Sequence, residues 1–175
     1  MQNKQTKIFI ALSVILFFSG SFSLIYQIAW VRFLTLLLGS TTMGITTVVA
    51  TFMSGLAVGS WLASKYLINK EKPLKVYAFL EFIISITAFI SPLLFKWAFS
   101  IIPEILQNFG ETNANIFFIR ILFSAVIMLI PTICMGATLP VLGKYLQQYS
   151  SLAERRISII YGLNTIGASA GCIVS

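Results

Sequence analysis

Five stretches of this chain run for about twenty residues or more with scarcely a charge, and hydrocarbon is the solvent such stretches demand. They cover residues 8–31, 33–64, 76–95 (interrupted by Glu81), 121–143 and 157–175. A helix crossing the bilayer core needs about 20 apolar residues. In lipid only helices and closed barrels satisfy every backbone amide. Barrel strands would alternate in polarity over about ten residues, and these runs neither alternate nor stop that early. The pattern predicts an all-α, polytopic transmembrane bundle of about five spans. Only 10% of the 175 residues are charged and 58% are hydrophobic, against roughly a quarter charged in soluble domains. A soluble globular protein, a disordered chain and a nucleic-acid-binding module are excluded.

Turn chemistry places the span ends. Gly39-Ser40-Thr41-Thr42 is a small, polar patch suited to a tight reversal within the second long run. The spans are therefore expected at about 8–38, 43–65, 75–97, 114–143 and 156–175 of one membrane domain. Tyr26, Gln27, Trp30 and Arg32 cluster toward the end of the overlong first span and read as an interfacial anchor. The stretch 97–113, with Pro103, Glu104, Asn108, Gly110 and Glu111, reads as an exposed loop holding at most a short amphipathic helix. Lys4 and Lys7 ahead of the first run resemble a signal peptide. The run is longer than the 7–15 residues of such a segment, which favours a retained anchor.

If the chain crosses at every span, nine bases fall on one side: Lys4, Lys7, Lys65, Lys70, Lys72, Lys75, Lys144, Arg155 and Arg156. The other side holds Arg32, Lys96 and Arg120, with Glu104 and Glu111. The positive-inside rule then predicts a multi-pass protein of the cytoplasmic membrane with its N-terminus in the cytoplasm. The fifth run stops at Ser175 without a polar flank, which predicts a piece of a longer protein or the first product of a split gene.

The chain contains no His and no Asp, and its acids are Glu71, Glu81, Glu104, Glu111 and Glu154. A His/Cys metal site, a Ser-His-Asp triad and a His acid–base pair have no residues to build on. Cys134 and Cys172 stand far apart in apolar runs and read as small packed thiols. No catalytic residue, metal or cofactor is expected.

Ionisable groups at membrane depth are functional candidates because they are costly unless paired or hydrated. Glu81 falls about one and a half turns into span three. It reads as an ion-pair partner of Lys65, Lys75 or Lys144, with a proton- or cation-coupling site and snorkelling as alternatives. Arg32 and Arg120, in the opposite leaflet, read as snorkelling to outer headgroups, with an anion or substrate contact as the alternative. Gly55 and Gly59 share one face of span two, and Gly167 and Gly171 one face of span five, as close helix contacts require. Pro131 and Pro140 predict a kink or unwound piece in span four, with Thr132 and Thr138 available to freed carbonyls. Broken helices of that kind also mark transporter sites. Asn164 and Thr165 are expected to hydrogen-bond to a neighbouring helix.

Taken in order, several segments resemble the membrane region of spermidine-synthase-like proteins that carry a major-facilitator-like domain. They are Phe18-Ser19-Gly20, Leu24-Ile25-Tyr26-Gln27-Ile28-Ala29-Trp30-Val31-Arg32, Leu38-Gly39-Ser40-Thr41, and Phe52-Met53-Ser54-Gly55-Leu56-Ala57-Val58-Gly59-Ser60-Trp61-Leu62. Tyr77-Ala78-Phe79-Leu80-Glu81, the 131–140 stretch and Tyr161-Gly162-Leu163-Asn164-Thr165-Ile166-Gly167-Ala168 complete the set. The resemblance implies a partial major-facilitator-like half that in longer members precedes an aminopropyltransferase domain. The Gly-rich nucleotide loop and the Asp of that domain have no counterpart here. The loop after span two, Ser64-Lys65-Tyr66-Leu67-Ile68-Asn69, also departs from the Gly-Arg-Leu-Ala-Asp-Arg-like run of major-facilitator proteins.

The reading favoured at this level is a non-catalytic anchor or scaffold. Its partners are the lipid bilayer and either a synthase-like domain or missing C-terminal helices. The alternative is part of a major-facilitator-like secondary transporter.

Overall fold

The computed structural model describes residues 2–67, 71–108, 113–149 and 152–175, with residues 2–4, 99, 102–108, 113–116 and 149 as backbone alone. It is an all-α bundle. Helix α1 spans Gln2–Leu38, α2 Thr41–Leu62, α3 Pro73–Asn108, α4 Asn113–Tyr149 and α5 Ala153–Val174. Each carries a stretch long and apolar enough to cross a membrane, so the chain is an integral membrane domain.

The reversal after α1 follows from its residues. Gly39 adopts φ +68°, a left-handed conformation that costs glycine nothing, and its N–H closes onto the Thr35 carbonyl at 3.0 Å. Ser40 then caps α2, its hydroxyl accepting from the Met43 N–H. One π-helical turn, Ala63–Leu67, extends α2. Proline opens α3, where its missing N–H has no partner to lose.

Two expectations are corrected. The stretch 97–113 is not a loop: α3 continues to Asn108. Pro103 removes a single backbone bond, which does not stop the helix, and residues 109–112 lie outside the described residues. Of the kink or unwound piece expected in span four, only the unwound piece is excluded, because α4 runs unbroken through Pro131 and Pro140. Thr132 donates to the Met128 and Leu129 carbonyls at 2.8 and 3.1 Å, and Thr138 to Met135 at 2.7 Å. These hydroxyls bind beside the carbonyls of Ile127 and Gly136, which the prolines leave without a partner.

Glycines decide how the helices meet. Lipid is as apolar as leucine, so burial of apolar area drives little association, and close van der Waals contact must supply it. Gly55 and Gly59 of α2 lie against Thr132 and the Ile133 carbonyl of α4, and Gly136 answers against the Leu56 backbone. Gly167 and Gly171 of α5 lie against the Phe17 and Ser21 carbonyls of α1, and Gly20 answers against Asn164. Both predicted small-residue faces are thus spent inside the bundle. A hydroxyl reinforces the second joint, with Ser21 donating to the Gly167 carbonyl at 2.7 Å.

These two joints are copies of each other. Gly20 and Gly136 stand 116 residues apart, as do Phe17 and Ile133; Leu56 and Asn164 stand 108 apart, as do Gly59 and Gly167. A Cβ on Gly59 would lie 2.8 and 3.0 Å from C and Cα of Ile133, and one on Gly167 at the same distances from C and Cα of Phe17. Residues 52–64 and 160–172 alternate between buried and exposed in the same order, differing only at Gly55 and Leu163. The chain therefore repeats, α1–α2 matching α4–α5 about an approximate two-fold axis.

The copies are inverted. Trp97 late in α3 meets Phe123 early in α4, with ring centroids 6.1 Å apart. The start of α3 shares a crevice with Tyr145 near the end of α4, so these two helices are antiparallel. Ser19 and Trp30 of α1 contact Glu81 and Ser91 of α3 in step, so those two are parallel, and α1 and α4 run in opposite directions.

Candidate functional site

Between the two joints lies a cavity of about 370 Å³, walled by α1, α2, α4 and α5. It straddles the two-fold. Ser19 and Met135, Gly20 and Gly136, Ser23 and Leu139, and Leu24 and Pro140 are counterparts across it. So are Leu56 and Asn164, and Ser60 and Ala168, leaving only Phe52, Thr138 and Tyr161 of the lining unmatched. The repeat holds closely in shape but not in chemistry, since Ser19, Ser23, Ser60 and Asn164 each have an apolar counterpart. The wall offers hydroxyls and one carboxamide, and carries no formal charge.

The sequence candidates divide into three groups. Asn164 belongs to the cavity wall and is half-buried. It makes no side-chain hydrogen bond to another helix among the described residues, and the Thr165 hydroxyl turns back to the Tyr161 carbonyl of its own helix at 3.0 Å. The expected interhelical bonds are therefore replaced by a carboxamide facing the cavity. Gln27 is half-buried on α1, one turn beyond Ser23 and Leu24, and is not itself a lining residue.

Arg32 and Arg120 belong to helix ends rather than to the cavity. Arg120 donates from Nη1 to the Leu37 carbonyl at 2.9 Å, and Arg32 from Nη2 to the Ser175 carbonyl at 2.7 Å. Arg120 thus meets a carbonyl at the negative end of the α1 dipole. Arg120 holds its Nε buried without a hydrogen-bond partner in the bundle. Replacing it with methionine is expected to lower stability by about 1.5–3 kcal/mol, the range for a hydrogen bond to a charged group. The same change at exposed Arg32 is expected to do less, and thermal unfolding in detergent compares the two.

Glu81 forms the third group. Its Oε1 accepts from the Ser19 hydroxyl at 3.0 Å, and it makes no ion pair with Lys65, Lys75 or Lys144. That contact lies eleven residues, about 17 Å of helix rise, beyond Ile8, close to the middle of α1. The carboxylate sits deeper than its distance from the start of α3 suggested. Ser19 also lines the cavity, so one hydroxyl separates the acid from the open space.

Trp30 corrects the interfacial anchor. It is 1% exposed, stacks on Tyr26 with centroids 6.3 Å apart, and donates from Nε1 to Ser91 Oγ at 2.9 Å. Ser91 is itself buried. The residues that sequence reasoning passed over are the α1 serines and the lone glycines. Ser19, Ser21 and Ser23 form a polar island in an apolar run, and that island was the available signal. Gly20 and Gly136 carry no local signal, since each works through a glycine or backbone segment on another helix.

The bases gather at two ends. Arg156 at the start of α5 lies 5.0 Å from the Phe9 ring near the start of α1. Lys72 and Lys75 line a crevice with Tyr145, while Arg32 and Arg120 serve the opposite end. The side chains of Lys4 and Glu104, and Lys70 and Glu111 altogether, lie outside the described residues. No protein-family model, curated protein or solved structure matches the chain.

Proposed function

We propose that this chain is the solute-handling part of a major-facilitator-like membrane domain, taking a small, neutral, polar solute. The observation that carries the reading is a cavity on the two-fold of an inverted repeat, the location at which secondary transporters bind their substrates. The lining supports the solute class: hydroxyls and a carboxamide give a neutral molecule hydrogen bonds, whereas a polyamine or a multivalent anion would need opposite charges in the wall. Nine bases against three at the two ends support insertion in the cytoplasmic membrane with the N-terminus inside.

Proteoliposomes loaded with the chain test this by uptake of a labelled polyol or a simple sugar, against putrescine and phosphate. Uptake of a neutral solute, reduced at least tenfold by filling the cavity with Ser23→Phe, is the expected result. Liposomes closed to every neutral solute would sink the reading.

The anchor for a synthase-like partner is the second reading. It draws on the sequence resemblance, whose Gly55–Gly59 and Gly167 segments are joint residues here. Co-purification of a synthase-like protein from detergent extracts, together with closed liposomes, is the outcome it requires.

A further inference from the structure

We infer that the outward face of α1 between Ile8 and Ala29 is the seat of a further membrane-spanning helix, apolar and antiparallel to α1, from outside residues 1–175. The internal repeat carries the inference. If the two copies were equally clothed, α1 and α4 would be buried at the same positions, 116 residues apart. They do agree at Leu12 and Met128, Leu16 and Thr132, and Trp30 and Leu146, which are buried. They agree also at Ile10 and Val126, and at Val14 and Ile130, which are exposed. The disagreement follows one line. Ile8, Ala11, Ile15, Phe18, Phe22 and Ile25 are each more exposed than Ser124, Ile127, Pro131, Cys134, Thr138 and Val141, as are Ser21 and Tyr26 beside them. Spacings of three and four alternate along that line, the seam by which one helix packs along another. It extends about 26 Å at about 1.5 Å per residue, most of a hydrocarbon core of about 30 Å.

On α4 the line is covered by α3. Phe95 clusters with Ile127 and Met128, and Tyr77 and Leu80 with Cys134, Val141 and Leu142. Every other neighbour of α4 has its equivalent on α1, with α5 standing for α2 and α2 for α5; α3 has none among the described residues. The contacts that α1 makes with α3, through Ser19 and Trp30, lie on another side of the helix. The entry point is open too. The start of α3 shares a crevice with Tyr145, whose counterpart is Ala29. Ala29 lines an apolar crevice of about 400 Å³ with Ile25, Ile28 and Phe33. Because α3 is antiparallel to α4, the occupant starts at this crevice and runs against α1 toward Ile8. The seam on α1 carries no polar side chain, and Phe18 and Phe22 stand where α4 has a thiol and a hydroxyl. The occupant is therefore apolar on its inner face, with glycine, alanine or serine opposite the two rings. The seat stands whether or not a solute is carried, so it goes beyond the transport reading.

Photocrosslinking in the native membrane tests this. p-Benzoylphenylalanine is placed at Ala11 or Phe22 on the seam, or at Val14, which is exposed in both copies. All three side chains point out of the bundle, so the added ring leaves its packing intact. The two seam positions are expected to join one apolar helix from outside residues 1–175, and Val14 lipid alone. Peptide mapping by mass spectrometry should place the Phe22 adduct nearer the N-terminus of that helix than the Ala11 adduct, the order an antiparallel occupant requires. Ile15→Trp, which overfills the seat, should lower the yield at Phe22, whereas Val14→Trp should leave it unchanged. Seam adducts with lipid alone, adducts that map to a second copy of residues 1–175, or the opposite order along the helix would each overturn the proposal. So would equal polypeptide yields from Val14 and Phe22, or a Phe22 yield that Ile15→Trp does not lower.

Discussion

Gly59→Ala is expected to loosen the α2–α4 joint, and Gly59→Leu to break it. The added Cβ of alanine alone would sit 2.8 Å from the Ile133 carbonyl carbon, a rigid neighbour that no rotamer change moves aside. Overpacking of a close-packed contact costs about 1–3 kcal/mol, occasionally more, and leucine adds three further carbons at the same point. The internal repeat sharpens the prediction, because Gly167→Ala meets the Phe17 carbonyl carbon at the same 2.8 Å and should cost about as much. Gly162 has open space where its Cβ would go. Gly162→Ala should therefore be neutral or stabilising by about 0.5–1 kcal/mol, through helix propensity alone. Midpoints of SDS-titrated or thermal unfolding in a fixed detergent rank the three. Equal midpoints for Gly59→Ala and Gly162→Ala would refute the joint.

The second large effect belongs to Trp30. Truncating a buried tryptophan to alanine costs about 3–5 kcal/mol in soluble cores. Part of that sum is transfer from water, which a lipid-facing reference lacks, so Trp30→Ala is expected near the lower end, about 3 kcal/mol. The loss combines its packing against the cluster of Leu34, Val48, Phe52, Phe95 and Met128 with the hydrogen bond to Ser91. Trp30→Phe separates them, since it keeps most of the ring and deletes the indole N–H. It should cost about 0.6 kcal/mol, the average for a hydrogen bond between membrane helices. If Trp30→Ala unfolded at the midpoint of the unmodified chain, the residue would be an exposed interfacial anchor after all.

How much of this was legible beforehand depends on the range over which each residue acts. The turn at Gly39-Ser40 was readable because the φ that only glycine accepts lightly and the capping hydroxyl are both local. The spans were readable because hydrocarbon imposes a length. Stretch 97–113 was misread since Pro103 and Glu104 look like breakers, although one missing amide does not stop a helix, and α3 runs on to Asn108. Trp30 was misplaced for a different reason. Its neighbours Gln27 and Arg32 suggested an interface, and only the approach of Ser91 from α3 shows where the indole N–H goes.

At the candidate site, Glu81 and Asn164 announced themselves as polar residues in oil, but their surroundings could not be read along one strand of sequence. Glu81 was assigned to lysines near its own helix end. Its actual partner, Ser19, comes from a parallel helix sixty-two residues earlier. The repeat was likewise hidden, because Gly20 matches Gly136 and Leu56 matches Asn164 in position but mostly not in side chain. What the two copies share is backbone approach, which a residue alphabet records only where the residue is glycine.

An approximate two-fold that exchanges antiparallel halves has a consequence for how such a chain is threaded into a bilayer. Turned upside down, its packing presents nearly the same joints to the insertion machinery, so shape gives little guidance about which face belongs in which compartment. That information is left to the electrostatic bias of the flanks. Transplanting lysines from the crowded border to the sparse one should therefore invert the inserted protein while leaving its glycine seams intact.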